Sequence, residues 1–385
     1  MASYSDILSK KAREWDCPGL IDRDCAEVHL KIPFSSPLLN YVTYGGIPRA
    51  KMSMFYGTPG GGKSSTAIDL CNNARYIFEE EYQSMLIALK DKAAKGDKQA
   101  QSQVSELEDL GPKRVLFVDV EHTFDYKWAK KMGINEGDID VMQPPDLPCE
   151  DILQTILDLI ATNQVGFIVI DSIPALTTAA QIRKNIGERT VASLAGVLTE
   201  FSSKVIPRLS RYDSTLLLIN QQRVNMDNPY VDQIPGGEAI KFFSSLIIRF
   251  RIGCPVDFLG NELPMSAENP RGYKISAKIA KQKSAPWDRK NGSYYLMTDS
   301  GIRVDMDYAQ LAVNKYGIIR KGGAWFTICD PYTGEILVDE NNKEIKINGM
   351  AKVYDFLQNN PEYYEKLKTF IVDDIEGNGI DEGEA

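Results

Sequence analysis

The chain has 385 residues, a length that exceeds one compact domain and suits about two or three. Apolar residues make up 43% and charged residues 25%, which excludes a disordered or collagen-like chain and is enough to bury a large core. The net charge of −9 at pH 7 argues at first against a nucleic-acid partner, because phosphate groups attract Lys and Arg.

The sequence carries no membrane or export signal. It has no apolar run of the roughly eighteen residues that a membrane span needs, and its start lacks the apolar stretch of a secretory signal. The six cysteines are scattered without a CxxC pair, so neither a zinc site nor a disulfide framework is indicated. These features predict a cytoplasmic protein.

Short apolar runs alternate with helix-like segments through the first half of the chain. Each run is almost continuously apolar and ends at a small or polar residue, which predicts parallel strands covered by helices on both faces. The predicted fold class is therefore α/β. The predicted strands are 52–57, 114–119, 166–171 and 214–220, and the predicted helices between them are 63–84, 126–132, 149–163 and 190–211.

Two further regions have a different pattern. Residues 80–112 are rich in Ala, Lys, Gln and Glu, and we expect an exposed helical insertion at the edge of the sheet. After residue 325 the sequence predicts a hairpin with turns at 331–334 and 340–343, and then a helical stretch at 348–372. The predicted domains are a core over 31–325 and a small C-terminal domain over 326–372.

The negative charge is concentrated at the C-terminus. Residues 373–385 hold six carboxylates and no basic residue, so that residues 1–372 carry only −3. A segment this polar and Gly-rich cannot bury a core, which predicts a disordered acidic tail. The remaining body is close to neutral, and its total charge does not decide the question of a nucleic-acid partner.

A glycine-rich segment matches the phosphate-loop pattern G-x-x-x-x-G-K-[ST] without a mismatch, and it stands between a predicted strand and a predicted helix. Glycines allow the backbone N–H groups to surround a phosphate, and the helix N-terminus favours its charge. Lys63 would reach the β- and γ-phosphates, and Ser64 would bind Mg²⁺. The predicted nucleotide site is Gly57-Thr58-Pro59-Gly60-Gly61-Gly62-Lys63-Ser64, with the adjacent Ser65.

Carboxylates follow two of the predicted strands, at the edge where parallel sheets bind ligands. Asp171 suits a carboxylate that holds Mg²⁺ through water, although a helix N-cap is the alternative for any Asp after a strand. Asp119 and Glu121 lie in the segment VDVEHTFD at the end of the second strand, and Glu121 beside a γ-phosphate would orient or deprotonate the attacking water. The alternative for Glu121 is a solvated loop carboxylate.

Six segments occur in this order along the chain: GTPGGGKSS, LFVDVEHTFD, FIVIDSIPALTT, LLLINQQR, PGGEAIKFFSS and IAKQKSAPW. Together they resemble the bacterial and phage RecA recombinases, over residues 30–370. The resemblance implies a RecA-type ATPase core, an N-terminal oligomerisation segment over 1–30 and the small α+β domain at the C-terminus. The insertion at 80–112 and the short N-terminus depart from the bacterial pattern.

The resemblance also assigns residues around the nucleotide. It implies that Glu121 is the catalytic glutamate and that Gln221 senses the γ-phosphate. Trp128 falls where the family places a ring against adenine, the alternative being a core Trp on an amphipathic helix. Lys281 and Lys283 lie two apart on an apparent strand and therefore share one face. In the family the matching lysines reach the neighbouring protomer's γ-phosphate, whereas a solvated basic edge is their structural alternative.

Two segments that follow strands of the ATP site are candidate DNA loops, residues 181–191 and 222–237. Basic side chains and glycine N–H groups would contact phosphates, and an apolar side chain would insert between base steps. A mobile polar surface is the alternative for both. The implied contacts are Arg183, Lys184, Arg189 and Val191 in the first loop, and Arg223, Met226, Gly236 and Gly237 in the second.

The resemblance implies an ATP- and Mg²⁺-dependent recombinase in DNA repair, a DNA-dependent ATPase associated with the nucleoid. Its expected partners are single-stranded DNA, double-stranded DNA, further copies of itself in a helical filament, and single-strand-binding and mediator proteins. A hexameric helicase or motor on the same core is the main alternative, and a regulatory ATPase without strand exchange is another. The acidic tail is expected to compete with DNA for the two loops.

Overall fold

The computed structural model describes residues 31–185, 194–224 and 232–377, and of residues 223, 224, 232 and 233 it describes the backbone. In that part of the chain, nine strands form one sheet in the order β13-β12-β11-β10-β3-β7-β6-β4-β5. Its strands are β3 (Met52–Gly57), β4 (Arg114–Asp119), β5 (Asp140–Met142), β6 (Val165–Asp171), β7 (Thr215–Gln221), β10 (Leu246–Val256), β11 (Gly272–Gln282), β12 (Asn291–Met297) and β13 (Gly301–Ile302).

The helices of the same ranges alternate with these strands or follow them. They are α1 (Pro37–Thr43), α2 (Lys63–Ala94), α3 (Lys98–Leu110), α4 (Tyr126–Lys131), α5 (Cys149–Ala161), α6 (Ala179–Ile182), α7 (Leu194–Arg211), α8 (Glu238–Phe243), α9 (Val304–Asn314), α10 (Met350–Asn359) and α11 (Pro361–Ile375). Short strand pairs are β1 (Lys31–Ile32) with β2 (Ile47–Pro48), and β8 (Arg223–Val224) with β9 (Asp232–Gln233).

The six strands from β10 to β5 pair in parallel, and β10 to β13 pair antiparallel at the other edge. Every residue of β3 and β6 is buried, because helices cover both faces of the sheet. Alternate β3 residues enter two apolar clusters: Phe55 packs with α2 on one face, and Met52 and Met54 pack with α5 and α7 on the other. The predicted α/β class is confirmed.

The parallel strands also place the predicted ligand edge. β3, β4, β6 and β7 begin and end within one residue of their predicted bounds. Because they run in the same direction, the residues at their carboxyl ends, Gly57, Asp119, Asp171 and Gln221, lie along one edge of the sheet.

The insertion at 80–112 is helical, as expected, and begins as a continuation of α2 to Ala94. The side chain of Asp97 caps α3 by accepting hydrogen bonds from Gln99 N at 2.9 Å and Ala100 N at 3.1 Å. All residues of α3 are described, and of these only Ala100 is buried. The Nζ atom of Lys90 lies 2.7 Å from Glu108 Oε1, so an exposed ion pair joins the two helices.

The C-terminal region contains a small antiparallel sheet and two helices. Its strands are β14 (Ile319–Gly322), β15 (Trp325–Ile328) and β16 (Lys346–Asn348). A third apolar cluster joins this sheet, α10 and α11 to α9. The helix α11 continues to the buried Ile375, so residues 373–375 are its last turn, which corrects the expectation that the disordered tail starts at 373.

Among the helices of the described ranges, none is long and apolar enough to span a membrane. The candidate oligomerisation segment at 1–30 lies outside those ranges, and the division into domains stays a prediction.

Candidate functional site

The phosphate loop, residues 57–64, connects the end of β3 to the start of α2. Gly57 has a φ of 152°, and a Cβ atom there would stand 1.9 Å from the carbonyl oxygen of Phe250. Gly62 has a φ of 80° immediately before the helix, and a Cβ atom there would stand 2.9 Å from the hydroxyl of Tyr294. Both positions therefore require glycine, and the loop is held close to the neighbouring strands.

Lys63 is the first residue of α2 and folds back over the loop. Its Nζ atom donates to the carbonyl oxygen of Thr58 at 2.8 Å and to that of Gly57 at 3.4 Å. Burial lowers the pKa of Lys63, while the charges of Asp171 and Glu121 oppose that shift. The ammonium group thus lies close to two carboxylates beside the phosphate loop, and its contact with phosphates stays a prediction.

Asp171 ends β6 beside the same loop and is 5% exposed. Burial raises the pKa of this carboxyl to about 6, a hydrogen bond from Ser64 lowers it, and the charges of Glu121 and Asp119 raise it. A carboxylate hydrogen-bonded to a hydroxyl supplies the hard oxygen ligands that Mg²⁺ takes in phosphate sites. The pair therefore fits Mg²⁺. Asp171 is not the N-cap of the short helix Ile173–Ala175, because Ser172 occupies that position.

Glu121 lies in the turn after β4, and hydrogen bonds fix its carboxylate. Its Oε1 atom accepts from Gln221 Nε2 at 3.0 Å and from the hydroxyl of the buried Ser172. The backbone N–H of Glu121 donates to the carbonyl oxygen of Asp171 at 3.3 Å. Glu121 is therefore an ordered member of the site. Sequence reasoning missed Ser172, whose only signal was its place directly after the strand-end Asp171.

Gln221 ends β7 and connects the site to the second candidate DNA loop. The N–H of Gln221 donates to Asn220 Oδ1 at 2.9 Å, and Asn220 Nδ2 donates to the carbonyl oxygen of Pro235 at 2.8 Å. The N–H of Gln222 donates to the carbonyl oxygen of Gly57 at 3.0 Å. Both ends of the second loop are thus hydrogen-bonded to the ends of strands that form the phosphate site.

Trp128, on α4, borders a cavity of about 260 Å³ that also contains Ser64, Ser65 and Asp171. Its indole Nε1 donates to Ser65 Oγ at 3.1 Å, and its ring packs partly against the core beneath the sheet. The ring is thus partly packed against the core and also borders a cavity beside the phosphate loop, and its contact with adenine stays a prediction.

Lys281 and Lys283 share one face, as predicted. Their Nζ atoms donate to the same carbonyl oxygen, that of Phe242, at 2.7 and 2.9 Å. Phe242 is in the last turn of α8 and is 70% exposed, and both ammonium groups lie within 6 Å of its ring centre. Burial lowers the pKa of Lys281 to about 8, with the charge of Lys283 as the second cause. Within one protomer the pair therefore contacts its own helix end.

The structure describes part of each candidate DNA loop. Arg183 is exposed and Lys184 half-buried just after α6, which Thr178 begins with a capping box. Arg223 is in β8, where its backbone pairs with that of Gln233. The glycines before α8 have positive φ values, 93° for Gly236 and 83° for Gly237. The remaining expected contacts, Arg189, Val191 and Met226, lie outside the described residues.

Comparison with known proteins gives one family. A family profile described as the RecA N-terminal domain matches residues 98–303, more than half of the chain. The chain is 28% identical to Protein RecA of Thermus aquaticus over 334 residues, which is 86% of this chain and 80% of that protein. It is 28% identical to Protein RecA of Ruminococcus albus, covering 79% of this chain and 66% of that protein. The corresponding protein of Bdellovibrio bacteriovorus is 30% identical, with 69% and 64% covered.

The matched range includes Glu121, Asp171, Gln221 and the two lysines, whereas the phosphate loop precedes it and is supported by its own geometry. The ordered motifs, the mostly parallel sheet and the profile agree. The chain belongs to the RecA family.

Proposed function

We propose that this chain is an ATP-dependent DNA recombinase. In this proposal it binds ATP and Mg²⁺ at the phosphate loop and assembles into a helical filament on single-stranded DNA. The filament then pairs that strand with homologous duplex and exchanges strands. The observation that carries the proposal is the hydrogen-bonded path from Glu121 through Gln221 and Asn220 to Pro235, because it joins a hydrolytic carboxylate to the second candidate DNA loop.

Binding comes first. The N–H groups of the phosphate loop and the ammonium of Lys63 would hold the β- and γ-phosphates, and Lys63 would exchange its present carbonyl partners for phosphate oxygens. Ser64 and Asp171 would hold Mg²⁺, which when bound neutralises charge on the phosphates. Trp128 would lie against the base, since its ring borders the cavity next to Ser64.

Sensing follows from a competition for one amide. Gln221 now donates to Glu121, and a γ-phosphate oxygen would be a second acceptor for the same N–H group. When Gln221 turns to the phosphate, the Glu121 carboxylate loses one donor and can accept a proton from the attacking water. The movement of Gln221 would also shift Asn220 and thereby the loop that begins at Gln222.

Assembly would place ATP between protomers. Lys281 and Lys283 lie side by side against an exposed aromatic ring, which suits a pair of cations that meet a neighbouring subunit. If they contact the neighbour's γ-phosphate, ATP binding and filament growth become one linked equilibrium. Hydrolysis then removes the group that Gln221 and both lysines contact, so the filament loosens and releases its DNA.

DNA-dependent ATP hydrolysis tests the link between the two sites. The wild-type protein should hydrolyse ATP faster with single-stranded DNA, whereas Gln221→Leu should bind ATP with near-normal affinity and lose the stimulation by DNA. A Gln154→Leu variant provides a control, since Gln154 bonds Asp158 on the surface of α5. Equal stimulation in Gln221→Leu and the wild type would refute the proposed path. Unwinding of a forked duplex without homology would indicate the motor instead.

A further inference from the structure

The turn that carries Glu121 is fixed at two points. On one side, the N–H groups of Val120 and Glu121 donate to the carbonyl oxygen of Asp171 at 2.8 and 3.3 Å. On the other side, the carboxylate of Asp119 accepts from Thr123 N at 3.1 Å and Phe124 N at 2.8 Å. Asp119 is the last residue of β4 and is 1% exposed. The position of Glu121 therefore depends on the orientation of the Asp119 carboxylate.

A third donor reaches that carboxylate from the edge of the sheet. Gln143 follows β5, which pairs in parallel with β4 so that Met142 lies opposite Val118. This register places Gln143 next to Asp119, and its Nε2 atom donates to Asp119 Oδ2 at 2.8 Å. The same oxygen accepts from Phe124 N. The amide of Gln143 thus holds the carboxylate in the orientation that bonds the turn.

Gln143 has little to do with the stability of the core. Its side chain is exposed, and β5 is the outermost strand at its end of the sheet. The side-chain amide of Gln143 donates its hydrogen bond to a carboxylate, and such bonds are stronger than hydrogen bonds between two neutral groups. A side chain that is exposed yet bonded to a buried carboxylate beneath the catalytic turn can change the site without opening the core.

We propose that Gln143 is a positioning residue for ATP hydrolysis. Through Asp119 it keeps the turn of residues 120–124 in the geometry that presents Glu121 to Gln221 and Ser172. The inference rests on the proposed function, in which Glu121 activates water. Gln143 itself contacts neither Glu121 nor the phosphate loop through any hydrogen bond described for it.

Steady-state hydrolysis by the full chain with single-stranded DNA tests this role. Gln143→Ala should lower kcat about threefold to tenfold, since water replaces the amide imperfectly, while KM for ATP stays within about twofold. Gln143→Glu should lower kcat further, because a second carboxylate beside Asp119 repels it. The midpoint of thermal unfolding should change little in both variants.

Gln154→Ala is the matched control. Its Nε2 atom also donates to an aspartate oxygen at 2.8 Å, that of Asp158, but on the outer surface of α5. This variant should keep the wild-type kcat and KM. A Gln143→Ala protein with wild-type kcat would overturn the inference. So would a Gln143→Ala protein whose KM for ATP rises by the same factor as kcat falls, or whose midpoint of thermal unfolding falls clearly below that of the wild type.

Glu121→Gln separates the two levels of the argument. If it abolishes hydrolysis while Gln143→Ala has no effect, the positioning role fails and the proposed function stands. If Glu121→Gln hydrolyses ATP normally, the catalytic assignment fails and the positioning role fails with it.

Discussion

The buried carboxyl of Asp69 should reduce the stability of the fold at neutral pH. This residue lies in α2 below the phosphate loop, and its Oδ2 atom accepts from the N–H of Ser35 at 2.9 Å. Burial raises its pKa from 3.8 to about 6, against the smaller lowering by the bonds from Ser35. Because the folded pKa lies above the unfolded one, folding favours the protonated form, and the contribution of Asp69 to stability is most favourable below pH 4.

The size of the effect follows from that shift. About two pKa units at about 1.4 kcal/mol each give roughly 3 kcal/mol of stability that is lost as the pH rises from about 4 to 6. Asp69→Asn keeps an oxygen to accept from Ser35 and removes the charge. The free energy of unfolding of the variant should therefore exceed that of the wild type by up to about 3 kcal/mol at pH 7.5, and the two should differ little at pH 4.

Urea unfolding followed by circular dichroism at several pH values measures this difference. Subtracting the wild-type profile from that of the variant isolates Asp69, since the other buried carboxyls titrate in both proteins. Asp91→Asn, an exposed change on the same helix, should leave the profile unchanged. Parallel profiles for the wild type and Asp69→Asn, or a less stable variant at pH 7.5, would refute the reasoning.

Three further predictions concern the nucleotide site and the tail. Lys283→Ala should weaken ATP-induced assembly in sedimentation about tenfold while binding of a fluorescent nucleotide to the protomer's own loop persists; normal assembly would refute the trans contact. The Mg²⁺ concentration that half-saturates hydrolysis should rise about fourfold when the pH falls from 7.5 to 5.5, after correction for protonation of ATP. The reason is that protons compete with Mg²⁺ for the carboxylate of Asp171, whose pKa is raised to about 6. A chain ending at Gly377 lacks three acidic side chains and should bind duplex DNA more tightly, with less dependence on Mg²⁺. DNA-binding titrations measure this, and an unchanged affinity would contradict the competition between the tail and DNA.

Local patterns were enough to predict the strands around the phosphate loop. The phosphate loop is contiguous, and the strands around it are buried on both faces, so their apolar runs predict their bounds within one residue. The resemblance to the family then predicted roles at the γ-phosphate for Gln221 and the lysine pair. The structure shows Gln221 hydrogen-bonded to Glu121.

Contacts between distant segments could not be predicted in this way. Gln143 meets Asp119 only because β5 pairs with β4 in one register, and nothing in a Gln after a short strand indicates that neighbour. Ser172 likewise reaches Glu121 across two strand ends. The boundary of the tail was wrong by three residues because one buried side chain, Ile375, continues α11 through an acidic stretch.

The net charge illustrates the same limit. The total of −9 describes the whole chain, whereas six of those charges lie in its last thirteen residues and the candidate DNA loops are short local features. An acidic total is therefore compatible with a nucleic-acid partner, and the distribution of charge along the chain matters more than its sum.

Joint-molecule formation tests the central claim most directly. A labelled single strand is mixed with supercoiled duplex, ATP and Mg²⁺, and the products are separated on a gel. A recombinase should form joint molecules with homologous duplex and none with heterologous duplex. The Lys63→Ala variant should form no joint molecules with either duplex. Absence of joint molecules from a wild-type protein that hydrolyses ATP and binds single-stranded DNA would contradict the account.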